Sequence, residues 1–146
     1  VLDNIVTVLQ KITTVLKVSK RYNHQSGSLA HLRTDIYGVL KDRKTIISKE
    51  LHPTPAVCGT PQKVAKAFVL KNEGYDRQYY TGYLGTVFKE GEDSELFVNL
   101  RCLQISGSKA YLYAGGGVIK GSSAEEEWKE TKNKLQTMLQ VLRPFL

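Results

Sequence analysis

The chain has 146 residues, 41% hydrophobic and 24% charged, which is the size of one domain with enough apolar content for a core and too little polarity for disorder. It contains no apolar run near ~18 residues and no secretory leader pattern, so neither a membrane span nor export is expected, and a soluble cytoplasmic protein is the default reading. The formal net charge is +7, but the Lys and Arg residues are scattered and match no nucleic-acid motif, so the charge predicts a modest preference for anions and no nucleic acid as partner.

The chain opens on Val1, without Met and inside a helical pattern, and this reads as a fragment of a longer chain. Leu2, Ile5, Leu9, Ile12 and Leu16 recur at three- and four-residue steps and predict a helix over residues 2–17. The polar stretch 20–28, with Gly27, predicts a loop; the alternation from His31 to Leu40 predicts a strand; a short helix is expected over 45–51.

Residues 51–61 hold three prolines and a glycine, Leu51-His52-Pro53-Thr54-Pro55-Ala56-Val57-Cys58-Gly59-Thr60-Pro61, and predict a rigid built loop without regular structure. Gly59 suits a close approach or positive φ, and Pro61 suits the first turn of a helix. That helix carries Val64, Ala65, Phe68 and Val69 and stops near Gly74. The period then changes: 79–88, 95–105 and 110–119 are rich in aromatic and branched residues and read as antiparallel strands joined by turns at 91–93 and 106–108. Ser123-Ala124-Glu125-Glu126 is a capping box that opens a terminal helix with Trp128, Leu135, Met138, Leu139 and Leu142 on its apolar side. The fold class is α+β, with no repeat and no second domain.

Several residues stand out chemically. Glu130 and Lys134 form an i,i+4 pair that on a wet helix would contribute little, but Glu130 lies beyond the reach of the helix dipole and, with Glu127, beside the apolar stripe. Gly115-Gly116-Gly117 end a strand and can bare backbone N–H groups to an anion, although a plain glycine bend is the commoner meaning. Arg101, read as lying within an apolar strand, needs an anionic partner. His31 is by itself an ordinary strand histidine, His52 reads as structural and His24 as surface. Cys58 and Cys102 are far apart without metal-site spacing and are expected as reduced thiols.

The proline loop, His31-Leu32-x-Thr34, Arg77-x-x-Tyr80-x-Gly82-x-x-Gly85, Leu100-Arg101, Leu112-Tyr113-Ala114-Gly115-Gly116-Gly117 and Glu127-Trp128-x-Glu130-Thr131-x-x-Lys134 follow one another in the order and spacing of one family. Over essentially its whole length the chain resembles the chorismate-utilising enzymes, and among them the isochorismate synthases. The resemblance implies that residues 1–146 are the C-terminal portion of a single chorismate-binding domain, an α/β sandwich about three times as long, whose N-terminal part is absent. It further implies Mg²⁺ at Glu130, a substrate carboxylate at Lys134, the ring carboxylate of chorismate at Arg101 and Gly115 to Gly117, and Tyr80, Leu100 and Tyr113 around the ring. His31 would be the active-site histidine near the substrate hydroxyls.

The activity implied is Mg²⁺-dependent conversion of chorismate to isochorismate by water addition and hydroxyl loss. The Lys base, the Glu acid and a second metal carboxylate belong to the family's N-terminal part and have no match here, so the fragment alone is expected to be inactive. Ala56 stands where members that eliminate pyruvate or accept ammonia commonly carry Thr, which favours isochorismate synthase. A salicylate, anthranilate or aminodeoxychorismate synthase is the alternative enzyme, and a non-catalytic anion-binding module the alternative of another class. Supply of either a menaquinone or a siderophore pathway fits.

Overall fold

The computed structural model describes residues 1–26, 29–87 and 93–145 in two compact units, Val1–Leu51 and His52–Leu146. Helices and strands come in separate runs and every strand pair is antiparallel among the described residues, so the class is α+β.

In the first unit, helix α1 (Leu2–Ile12) passes directly into strand β1 (Thr13–Val18). The helix expected to run to residue 17 stops five residues early. Ile12 to Val15 is an unbroken β-branched run, and its backbone gains a ladder with β4 (Ile36–Leu40), which outweighs a helical period that Leu16 continues only in sequence. Thr13 is buried, and its hydroxyl donates to the Leu9 carbonyl at 2.7 Å, closing the last turn.

Residues 22–26, expected as loop, form strand β2 (Tyr22–Ser26), paired with β3 (Leu29–Arg33); Gly27 and Ser28 lie outside the described residues. Ladder hydrogen bonds come from the backbone, so a polar stretch can form a strand once its partner is adjacent. The single strand expected over 31–40 is two. Tyr22 pairs with Arg33 and Val18 with Ile36, so residues 19–21 oppose 34 and 35 and the register shifts by one. Asp35 clips this offset, accepting from Tyr22 Oη at 2.7 Å and Arg33 Nε at 2.7 Å while its own amide donates to Ser19 Oγ at 2.9 Å. Those two hydrogen bonds, from Tyr22 first and Arg33 second, lower the Asp35 pKa. Helix α2 (Ile47–Leu51) ends the unit.

The second unit begins with the proline-rich stretch. It is not free of regular structure: Pro55, whose φ suits a first helical turn, starts the one-turn helix α3 (Pro55–Cys58) after an extended Thr54. Gly59 ends that turn at φ 102°, and a Cβ there would stand 2.9 Å from the Ala65 Cβ, so the glycine permits α3 to lie close against α4 (Gln62–Asn72). The α4 helix follows Pro61 and stops before Gly74, as expected.

Strand β5 (Tyr83–Thr86) begins four residues later than expected because 79–82 form a hydrogen-bonded turn, with Gly82 N donating to Tyr79 O at 3.1 Å. It pairs with β6 (Glu95–Val98); most of the expected 91–93 turn, and Phe88, lie outside the described residues. The strand expected over 95–105 is broken, and β7 (Cys102–Ser106) starts only after Arg101, which adopts a left-handed φ of 49°. A two-residue turn at 107–108 leads to β8 (Lys109–Tyr113), which ends before the glycines instead of reaching 119. Ser123 caps α5 (Ala124–Leu142), its Oγ accepting from Glu126 N at 3.4 Å, and a 3₁₀ turn (Arg143–Phe145) follows. Leu135, Met138, Leu139 and Leu142 are half-buried on one side, whereas Trp128 is exposed. Among the described residues no helix is long and apolar enough to cross a membrane.

Pairing of β5 with β6 depends on Gly85, because a Cβ there would stand 1.8 Å from the Glu95 carbonyl oxygen. Gly85→Ala is therefore expected to cost at least ~2 kcal/mol through steric overlap with backbone that cannot rotate away. A denaturant titration of the variant against the parent protein measures it.

Candidate functional site

The second unit contains a hollow of about 290 Å³ lined by residues between 56 and 134. Its wall begins with Ala56 and Val57, held at the surface by the one-turn helix between Thr54 and Gly59. Gln62 Nε2 donates to the Pro53 carbonyl at 2.8 Å and ties the entry of that turn to the following helix.

Tyr80 forms the floor and is 7% exposed, the one buried apolar side chain among the described residues. The turn that presents it is drawn tight by Tyr80 N donating to Arg77 O at 2.8 Å and by left-handed Gln78 and Thr81. Asn99 fastens this turn to the neighbouring strand, its amide donating to Gly82 O at 2.8 Å and its side chain to Tyr79 O at 2.9 Å. The Tyr80 ring stacks on Tyr113 with centroids 5.4 Å apart, and the Arg77 guanidinium lies 5.8 Å from its centroid. Burial pushes the Tyr80 phenol pKa up, so this hydroxyl stays protonated at neutral pH.

Opposite lies the chain after β8. A Cβ on Gly115 would come within 2.8 Å of the Tyr80 hydroxyl, and one on Gly116 within 3.1 Å of Glu127 Oε2, so two of the three glycines leave room that a side chain would fill. The amides of Gly115, Gly116 and Gly117 donate to no partner among the described residues. Lys134 closes this side from α5, its Nζ donating to the Gly115 carbonyl at 3.0 Å and pairing with Glu130 at 2.5 Å. The Lys134 hydrogen bond to the Glu130 carboxylate, and then the Lys134 charge, lower the Glu130 pKa.

Ala56, Tyr80, Leu100, Arg101, Gly115, Gly116, Gly117 and Lys134, singled out in the sequence, all line this hollow. Arg101 pairs with no carboxylate among the described residues, and the lining holds three cationic groups, Arg77, Arg101 and Lys134, against one carboxylate, Glu73. Such a surface favours an anion.

Tyr113 is placed differently, stacked on Tyr80 with its hydroxyl on Gln104 Oε1 at 2.9 Å, outside the lining itself. Glu130 stands beside Lys134 with its side chain 56% exposed. His31 belongs to the first unit, exposed on β3 and opposite His24 in the ladder. Glu73, Tyr75 and Thr81 line the hollow without having been singled out, and Arg77 had been noted only as part of a motif.

A family model described as chorismate binding enzyme matches residues 1–143. The chain belongs to the chorismate-binding enzymes. It is 36% identical to isochorismate synthase DhbC of Bacillus subtilis, an alignment taking in 97% of this chain and 36% of that protein. It is also 36% identical to isochorismate synthase MenF of Escherichia coli, over 97% of this chain and 33% of that protein. The solved structure of the menaquinone-specific MenF of Escherichia coli superposes with a TM-score of 0.87 at 34% identity, covering 97% of this chain and 33% of that one. The chain thus spans about a third of the length of the relatives it matches.

On the glycine side of the hollow, the donors suited to a hard cation are carboxylates on one helix. Glu127 and Glu130 lie three residues apart on α5, Glu127 against Gly116 and accepting from Ser122 Oγ at 2.7 Å, Glu130 against Lys134. Among the described residues no group of three or more His, Cys, Asp or Glu gathers. Magnesium takes one or two protein carboxylates and fills its remaining positions with water and anionic substrate oxygens, so this oxygen-only donor set fits part of a Mg²⁺ site.

Proposed function

We propose that this chain is the substrate-holding part of a longer isochorismate synthase, acting on chorismate with Mg²⁺. The observation that carries the reading is the hollow itself, in which Arg101 and three glycine amides, without partners among the described residues, converge with Lys134 beside a buried aromatic floor. Chorismate is a cyclic dicarboxylate, and this surface has the charge and shape chemistry to hold one. The relatives named isochorismate synthase support the same activity.

In this reading Arg101 and the amides of Gly115 to Gly117 take the ring carboxylate, since a guanidinium and a cluster of bare N–H groups both donate to a carboxylate. Lys134 faces a substrate carboxylate, and its bond to Gly115 O holds the ammonium on the glycine side. Tyr80 and Leu100 pack against the ring, and Tyr113 backs Tyr80. Glu130 would hold Mg²⁺, which when bound neutralises and orients substrate oxygens. His31 is proposed to orient the substrate hydroxyls, a role that rests on the family resemblance. Water adds a hydroxyl at one ring carbon as another leaves, with a Lys base and a Glu acid drawn from sequence outside these residues. Ala56 would leave space for the water while keeping the enolpyruvyl group out of an eliminating geometry.

Three outcomes test this. The 146-residue chain alone is expected to form no isochorismate from chorismate, and turnover by the purified chain, followed by product chromatography, would show that the base and acid are within it. In a protein of the relatives' length that carries this chain, Glu130→Gln keeps the side-chain shape and removes the charge; Mg²⁺ affinity and turnover should collapse while the circular dichroism spectrum is retained, and Lys134→Ala should raise KM for chorismate while leaving Mg²⁺ dependence in place. Full activity of Glu130→Gln at unchanged Mg²⁺ dependence would remove the metal assignment. Ala56→Thr in the same protein should increase pyruvate release in a coupled assay, and no increase with isochorismate synthesis intact would refute the specificity role.

A further inference from the structure

The Arg77 guanidinium is held on four sides, with its side chain 24% exposed. Nε and Nη2 grip the Glu73 carboxylate as a fork, the Nη2 to Oε1 bond being 2.6 Å. Nη1 donates to the Val57 carbonyl at 3.0 Å and to the Thr81 hydroxyl at 3.2 Å, and the group rests near the Tyr80 ring. One side chain therefore joins three stretches of the wall: the α3 turn, the end of α4 and the turn that presents Tyr80. With Glu73 as counterion it is already neutralised, unlike Arg101, so an incoming anion gains less from it.

The α3 turn needs such a tie. Four residues are too short for a helix to hold itself, and the last carbonyls of any helix have no partner within it. Val57 O is one of these, and Arg77 supplies its donor. Ala56 is the adjacent residue, with its side chain on the hollow.

We propose that Arg77, locked by Glu73, is a positioning residue that fixes the Ala56–Val57 wall and thereby sets how closely the hollow fits its substrate. The kinetic part rests on the chorismate reading above; the structural part does not. Lysine carries the charge but not the planar fork, so Arg77→Lys cannot serve Glu73, Val57 and Thr81 together.

The test uses a protein of the relatives' length that carries this chain, with Arg77→Lys and Glu73→Gln made separately. Amide hydrogen exchange is read on 57–59, whose N–H groups donate to Thr54 and Pro55 carbonyls in the present turn. Exchange there should accelerate about tenfold and KM for chorismate should rise about tenfold, with kcat within about threefold, the size expected from losing one charge-assisted hydrogen bond. Glu73→Asp should recover part of both. Where Arg77→Lys does not fold, Glu73→Gln decides by the same readings. Wild-type exchange at 57–59, or an unchanged KM with a lowered kcat, overturns the proposal. If the parent protein forms no isochorismate, the activity reading fails, and the exchange of 57–59 still decides whether Arg77 fixes the wall.

Discussion

The Tyr80 side chain is the contact on which the second unit's hollow depends. Its ring receives Tyr113 on one face, lies under Arg77, and points its hydroxyl at a glycine whose Cβ would collide with it. Removing water from one aromatic ring thus brings the 77–82 turn, the β7–β8 hairpin and the glycine segment together. The backbone nearby accepts three left-handed non-glycine residues, Gln78, Thr81 and Arg101, within this one region. Strain of this kind persists where surrounding packing over-determines the conformation.

Charge around the hollow divides into two sorts. Arg77 is matched by Glu73 and ties chain to chain; Arg101 has no carboxylate among the described residues, and Lys134 shares itself between Glu130 and a backbone oxygen. A cation satisfied by protein groups organises a wall, and one left short of acceptors attracts a ligand. The same residue type therefore stands in two electrostatic settings within one hollow, which a net charge of +7 cannot convey.

Some of this was legible in the residues. The capping serine and the spacing of Leu135, Met138, Leu139 and Leu142 place the start and the half-buried face of α5, since cap and period are both local, although Trp128, expected on that face, is exposed. The glycines at 59, 74 and 107 mark turns for the same reason. What escaped was decided by partners distant in sequence. Leu16 keeps helical spacing with Leu9 and Ile12, yet β1 forms because β4 is there to pair with it. Tyr22 to Ser26 is too polar to look like a strand alone. Arg101 sits in what reads as a continuous apolar run, and only its φ reveals the break. Arg77 and Glu73 were missed in their tying role because Glu73 looks like the frayed end of α4 and Gly74 intervenes; no local signal points across to Val57. Eight of the hollow's residues came from motif order, whereas Glu73, Tyr75 and Thr81, and the convergence of all of them, needed coordinates.

The backbone of Arg101 has a consequence for how this position can change. A left-handed φ of 49° costs a non-glycine residue about 1 kcal/mol, and glycine would relieve it. Glycine would also remove the one guanidinium in the hollow that no carboxylate neutralises among the described residues. Backbone ease and positive charge therefore pull this position in opposite directions: a substitution that relaxes the turn at 101 would also take from the hollow its one uncompensated cation among the described residues.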